Sequence, residues 1–397
     1  MMLPPQKNQV GPSTRRQATG FSLIELMVAM MIGLITVLAT AQALQLSGSR
    51  KQTATSGSDA TITGAMALYT IERDARNAGF GMTTSANALS CEIRAKYDTS
   101  SAQSFALAPA VITQGSNGAP DTIQFMASTK EGVPLPIKVT TDHSVTAANF
   151  FVQSDLGIEE GDMMIAVPPN PDANNWCSVF QVTNDTSPGN GGSNGAGQGQ
   201  NQVIHNSGQS KWNQPGGQTI FPNNGYPTGS TLINLGSFAQ HTYSIASNGL
   251  QLTMFNAGNG AASSVDLYPQ VIQLQAEYGI DANPSDSVTT VGSWTTTTPT
   301  TAAGWQGVKA IRIAIVTRSA IWEKLEKDTS GTDIPLTVTS TDANCINPSA
   351  RNPRAVCWSG GAINALNTDN PNTDDWQHYR YSVHEAVIPL RNVIWQQ

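Results

Sequence analysis

Arg15-Arg-Gln-Ala-Thr-Gly20-Phe21-Ser-Leu-Ile-Glu25-Leu-Met-Val-Ala29 opens an apolar stretch that continues to about Leu46. As a helix, residues 21–46 would span about 39 Å, enough to cross ~30 Å of hydrocarbon. The first 20 residues hold Lys7, Arg15 and Arg16 and no acid. Basic residues before a span stay in the cytoplasm, so the rest of the chain is expected to be exported. A secretory signal has a shorter apolar region with its cleavage site at the far end. A plain anchor explains the length and the flanks but not Glu25. A carboxylate inside an apolar span costs a few kcal/mol and points to a function.

These residues resemble the type III signal of type IV prepilins: a basic leader ending in Gly, then Phe, then Glu at the fifth mature position, all ahead of a long apolar helix. The resemblance implies that a prepilin peptidase cuts between Gly20 and Phe21 on the cytoplasmic face and N-methylates Phe21. It also implies that Glu25 pairs with the amino group of a neighbouring subunit. The physics agrees, because a buried carboxylate needs a cationic partner. The leader is long for the family, and Met1-Met2 leaves two candidate starts. Cleavage would discard three cations and take the formal net charge from -7 to -10.

Composition bounds the remainder. The chain has 397 residues, of which 12% are charged and 39% hydrophobic. The acidic balance argues against a nucleic-acid binder, which needs a basic face for phosphates, so no direct nucleic-acid binding is expected. Modest net charge and plentiful aliphatics argue against simple disorder. Low charge with abundant uncharged polar residues fits an extracytoplasmic, strand-rich protein.

After the small polar run 47–58, Ile62, Ala65, Met66, Tyr69 and Arg73 recur at spacings of three and four, the period of an amphipathic helix. Asn77-Ala-Gly79 closes it. One long helix is expected from Phe21 to about Asn77, with its second half packed on a sheet. Gly48, Gly57 and Gly64 each weaken that helix by about 1 kcal/mol and mark places for local melting; two helices joined by a linker is the alternative.

Beyond Gly81 the period changes to two. Strands are expected over 122–126, 162–167, 178–182, 231–235, 238–246, 250–255, 268–279, 308–318 and 379–391. Ser247-Asn248-Gly249 signals a hairpin, because Asn-Gly suits a type I′ turn. Residues 184–201 are Gly-rich and read as a loop, and 281–304 as a second loose stretch. The expected fold class is therefore α+β, type IV pilin-like, with a long N-terminal helix on a large antiparallel β domain. The expected parts are a leader (1–20), a membrane or filament-core half of the helix (21–46), its amphipathic half (47–79) and a globular domain (80–397).

Four blocks, ERDARNAGFG (72–81), VIQLQAEYGID (271–281), GVKAIRIAIVTRS (307–319) and YRYSVHEAVIPLRNVIW (379–395), follow in order the pattern of PilW-like minor pilins, which the chain resembles over most of its length. Read without the resemblance, they are core strands, with Arg391 and Asn392 placed to cap the sheet. The resemblance implies a non-enzymatic minor pilin at the tip of a type IV pilus. Its partners would be the prepilin peptidase, other minor pilins, the major pilin, a tip adhesin and, before assembly, inner-membrane lipid. Initiation of assembly, adhesion and twitching motility would follow. A type II secretion pseudopilin shares the leader and is the alternative; a membrane-anchored binding module or hydrolase is the second.

Cys91, Cys177, Cys345 and Cys357 allow three pairings. In an oxidising compartment the expected pairs are Cys345–Cys357, closing a short loop, and Cys91–Cys177, tying the post-helix region to a strand. No CxxC is present. Catalytic signatures fail individually. His384-Glu385 opens like HExxH, but position 388 is Ile. Gly191-x-Ser193-x-Gly195 lies in the Gly-rich loop, without the strand–turn–helix that GxSxG needs. The cluster Asp369, Asp374 and Asp375 offers oxygen ligands for calcium but lacks EF-hand spacing. No P-loop or GxGxxG occurs, and neither cofactor nor metal is expected. Trp294, Trp305, Trp358, Trp376 and Trp395 fit core packing or an interaction surface.

Overall fold

The computed structural model describes residues 22–83, 85–130, 136–183, 201–213, 220–283, 290–331, 333–334, 338–339, 356–363 and 378–394. The chain divides into two compact units, residues 1–55 and 56–397. Helix α1, Leu23–Asn77, is unbroken and contributes to both. It runs through Gly48, Gly57 and Gly64 without melting. Two of these glycines meet the domain rather than weaken the helix. A Cβ on Gly64 would lie 2.3 Å from the His384 ring, and one on Gly57 3.4 Å from the Arg380 stem.

In the second unit α1 buries Ser56, Ala60, Ala67, Leu68, Ile71 and Ala75, and Ala78 just beyond its end is buried too. The small residues at spacings of three and four allow close approach to the strands. The stripe that stands out in the sequence is the opposite one. Ile62, Met66 and Tyr69 are 55%, 53% and 68% exposed, and Ala65 and Arg73 are exposed as well. Both stripes have helical period, and periodicity does not say which of them faces inward.

The fold is α+β, with three mixed or antiparallel sheets. Sheet A has the order β2 (Gln103–Ala106), β1 (Glu92–Ala95), β8 (Cys177–Gln181), β7 (Met163–Val167), β10 (Thr231–Gly236), β5 (Ile137–Lys138). Sheet B has the order β13 (Ala261–Pro269), β12 (Gly249–Asn256), β11 (Ala239–Ala246), β4 (Thr122–Ala127), β3 (Ala110–Thr113). Sheet C has the order β15 (Val291–Thr295), β14 (Val271–Asp281), β16 (Val308–Arg318), β22 (Tyr381–Pro389), β19 (Val338–Thr339). Among the described residues, three two-stranded pairs complete the set: β6 (Asn149–Val152) with β9 (Asn201–Ile204), β17 (Glu326–Lys327) with β18 (Asp333–Ile334), and β20 (Val356–Trp358) with β21 (Gly361–Ile363). Among the named ladders, β1–β8 and β19–β22 are parallel.

Alternation sorts the cores. Ile123, Phe125 and Tyr243 of sheet B join α1 and the strands of sheet C in the largest cluster. Met126, on the other face of sheet B, packs with Met163, Ile165 and Val179 of sheet A. The reverse face of sheet A places Met164 and Phe180 against Phe150 of β6. Asp121 ties sheets B and C: its carboxylate accepts from the backbone N–H of Gly115 and of Ala276, at 2.9 Å each.

The hairpin between β11 and β12 forms one residue earlier than the Asn-Gly reading. Ser247 and Asn248 carry the positive φ values, 48° and 58°, and Ala246 pairs with Gly249. Two central residues at positive φ make the type I′ turn, and Gly249 already belongs to the strand. The stretch 281–304 also holds more than a loop. Strand β15 lies within it, and α2 (Ala302–Gln306) starts there, N-capped by Thr301, whose hydroxyl accepts from Gly304 N–H at 3.1 Å.

Cys91 and Cys177 form a disulfide across 86 residues. It joins the segment before β1 to β8, beside the parallel pair Ile93↔Cys177. On the chain-entropy model a loop of this length contributes up to ~4.6 kcal/mol. Cys91→Ser with Cys177→Ser is expected to lower the urea midpoint of the oxidised protein sharply; an unchanged midpoint would remove the bridge from the stability account. Cys345 lies outside the described residues, and the expected Cys345–Cys357 pair with it.

Candidate functional site: the long helix and its seat

From Leu23 to Leu44 the large apolar side chains of α1 are all more than half exposed, Leu23 at 77% and Val28 at 51%. This helix is long and apolar enough to cross a membrane. Its two threonines there are self-satisfied. Thr36 Oγ donates to Ile32 O at 2.8 Å, and Thr40 Oγ to Thr36 O at 2.9 Å. Such back-bonding lets a hydroxyl sit in an apolar medium without an outside partner. Glu25 is in the first turn of α1, exposed, where a negative charge complements the helix dipole. Gly20 and Phe21 lie outside the described residues.

The other end of α1 is held by side chains distant in sequence. Asp74 accepts from His241 Nδ1 at 2.6 Å and from the Tyr243 hydroxyl at 2.7 Å. Burial works to raise the Asp74 carboxyl, but these two hydrogen bonds and the adjacent charges of His241 and Arg73 outweigh it and hold it below its ordinary value. The Thr70 and Tyr268 hydroxyls are 2.9 Å apart. Gly79, at φ 78°, turns the chain out of the helix, and its N–H donates to Met126 O at 2.8 Å. Asn392, in the terminal turn α3 (Arg391–Ile394), donates through Nδ2 to Ala78 O at 3.0 Å and Asn77 O at 3.3 Å. Thr83 Oγ donates to Asn392 O at 2.7 Å. Asn392 therefore caps the helix, not the sheet. A carbonyl at a helix end lacks an intrahelical partner, and this amide supplies one.

The catalytic fragments do not gather here. His384 is in the middle of β22, its ring against Gly64 and its Nε2 3.1 Å from the Ser382 hydroxyl. Burial lowers its pKa. The Asp74–His241 pair borders a cavity of about 290 Å3 that Ser128 also lines. Ser128 Oγ is committed to Asn234 O at 3.0 Å. The GxSxG match, the acidic cluster 369–375, Trp376 and Trp395 lie outside the described residues. Of the other tryptophans, Trp305 and Trp358 are buried at 1% and 5%. The Arg312 guanidinium stands between Trp294, at 4.6 Å, and Trp358, at 5.1 Å. Core packing and one cation–π stack account for these three.

Two family models match the chain. Residues 15–41 match the prokaryotic N-terminal methylation motif. Residues 241–392 match the type IV pilus-assembly protein W model. The second match begins at His241, which grips Asp74, and ends at Asn392, which caps α1. No curated protein and no solved structure matches the chain.

A methylation-type leader ahead of a long apolar helix, followed by a β-rich domain, is consistent with a type IV pilin-like fold. The matched part of the domain runs from within β11 to α3 and is similar to type IV pilus-assembly protein W. Together the two matches support a reading of the chain as a PilW-like type IV pilin.

Proposed function

We propose that this protein is a minor pilin of a type IV pilus that helps initiate pilus assembly within a complex of minor pilins at the filament tip, supporting a tip adhesin and, through the pilus, adhesion and twitching motility. A prepilin peptidase removes residues 1–20 and methylates Phe21. The helix then anchors the protein in the inner membrane, with the β domain on the periplasmic side. On assembly, Glu25 pairs with the amino group of an adjacent subunit. The globular domain, far larger than a repeating shaft subunit needs, suits a rare tip position.

The observation that carries this reading is the leader joined to a helix whose apolar side chains are exposed along residues 23–44. The domain adds a second uncovered apolar stripe, Ile62, Met66 and Tyr69. Lone exposed apolar residues are ordinary, but three in helical register form a packing face. We assign it to contact with neighbouring pilins.

Mass spectrometry of sheared pili tests the proposal: the protein should begin at N-methylated Phe21, and a gene deletion should abolish pili while secretion continues. A chain still beginning at Met1 would remove the basis for filament entry. Normal pili with failed secretion would transfer the protein to a secretion pseudopilus.

A further inference from the structure

Sheets A and B do not fill the space between them. A cavity of about 440 Å3 lies there, about three times the ~150 Å3 that accepts benzene in a protein core. Its floor is apolar: Met163, Ile165, Val179 and Leu235 are at most 5% exposed, and Trp212 and Phe238 less than a tenth. Tyr97, Trp212, Phe255 and Phe238 follow one another edge to face, with centroids 5.1–6.1 Å apart. Trp212 Nε1 is committed to Ala257 O at 2.8 Å, which fixes its ring.

The rim has different chemistry. The ladder of β4 and β11 pairs Gln240 with Met126 and Thr242 with Gln124. Strand alternation therefore puts both glutamines on the face of sheet B turned from α1, where a sandwich would ordinarily carry aliphatics. Both are half-buried, and Gln103 joins them from the edge of sheet A. The three side-chain amides make no hydrogen bond to another described residue. Each offers a carbonyl acceptor and two N–H donors. Among the described residues, no Asp, Glu, Lys, Arg or His lines the cavity.

An apolar floor without a counter-ion rejects a charged ligand, because desolvation is uncompensated. A rim of amides selects a neutral group able to donate and accept. We propose that this cavity binds an uncharged amphiphile, with a short acyl or aromatic body on the Met163–Leu235 floor and an amide or hydroxyl head at Gln124 and Gln240. The cavity volume falls within the range of small-molecule sites. The site is independent of α1 and of the assembly reading.

The test uses the full chain in lipid nanodiscs with 13C-methyl-labelled methionine. Hexanamide is the probe, with hexanoate and hexylamine as charged counterparts of the same length. Hexanamide should shift the Met163 methyl saturably, whereas the charged molecules should require at least about tenfold higher concentration at pH 7. Partition into lipid gives no saturable shift at that methyl. Ala262→Trp, at an exposed position lining the mouth, should abolish the shift with an unchanged circular dichroism spectrum. Gln124→Leu with Gln240→Leu should weaken hexanamide several-fold and reduce its advantage over hexanoate. No saturable Met163 shift, equal binding of hexanoate, or a full response in Ala262→Trp would each overturn the proposal.

Discussion

Glu25→Ala is expected to spare cleavage and methylation of Phe21 but to remove the protein from sheared pili. The carboxylate stands in the first turn of an exposed apolar helix, so in the proposed filament it would be withdrawn from water. On the proposed assembly, an adjacent amino-terminal amine enters the same medium and is compensated only by this carboxylate. Breaking a buried pair by deleting one partner costs about 3–5 kcal/mol. That corresponds to at least about a hundredfold loss in partition between membrane pool and filament. The measurement is the ratio of protein in sheared pili to protein in membranes, with mass spectrometry confirming the methylated Phe21 start. Wild-type amounts of Glu25→Ala in the filament would refute the pairing. Glu25→Asp, which keeps the charge on a shorter arm, should be intermediate.

Acid is expected to unfold the β domain well before carboxylate protonation alone would. His143 and His205 are buried at 3% and 6% exposure, with Nε2 atoms 2.9 Å apart. One ring must donate and the other accept, so the pair tolerates no second proton. His143 stacks on Phe150 at 3.7 Å, and Phe221 closes edge-on over both histidines. Burial pushes His143 down to about 4. Burial, then repulsion from His143, pushes His205 down to about 3. The unfolded chain takes up these protons near pH 6.5. Both folded values lie below that, so the unfolded state binds more protons throughout the interval. Stability is full above pH ~6.5 and falls as pH drops towards 3. By pH 4 the loss is on the order of 6 kcal/mol for the two rings together. Asp74, held low, loses stability in the same direction at still lower pH. Asp121, raised by burial, runs oppositely. Urea unfolding at pH 7 and pH 4.5 should give a much lower midpoint in acid, and His205→Phe should flatten the difference. Equal midpoints would mean the rings are not held neutral.

The sequence disclosed the fold class and the chemical class of the amino terminus, because a membrane-length helix and a positioned glutamate are local signals. Strands β4, β7, β8, β10, β11, β12, β14, β16 and β22 were legible from alternation or apolar runs. Strand β13 was not: residues 261–266 are all exposed, and an edge strand with one wet face needs no alternation. Strand β15 was hidden by threonines and by lying at the sheet edge. The helix was placed correctly but faced wrongly, since Ala60, Gly64, Ala67 and Ala75 form a quieter stripe than Ile62, Met66 and Tyr69. The helix seat was illegible for a different reason. Asp74, His241 and Asn392 meet only through tertiary structure, and no spacing rule joins residues 167 or 314 positions apart. The two glutamines above the cavity gave a faint signal: Gln124 interrupts Ile123 and Phe125 as a polar residue on a face later found to be enclosed.

The cap at the end of α1 has a mechanical consequence. In the proposed assembly, tension on the filament would load the subunit along the helix axis. In this chain such a load does not leave α1 through the turn at Gly79 alone. It passes at the same level into β11 through Asp74 and into the carboxy-terminal turn through Asn392. That turn follows β22, which is zipped along its length to β16 in the middle of sheet C. On that reading the last described turn of the polypeptide serves as a second anchor, and the force would be shared between two sheets in parallel rather than unravelling one strand at a time.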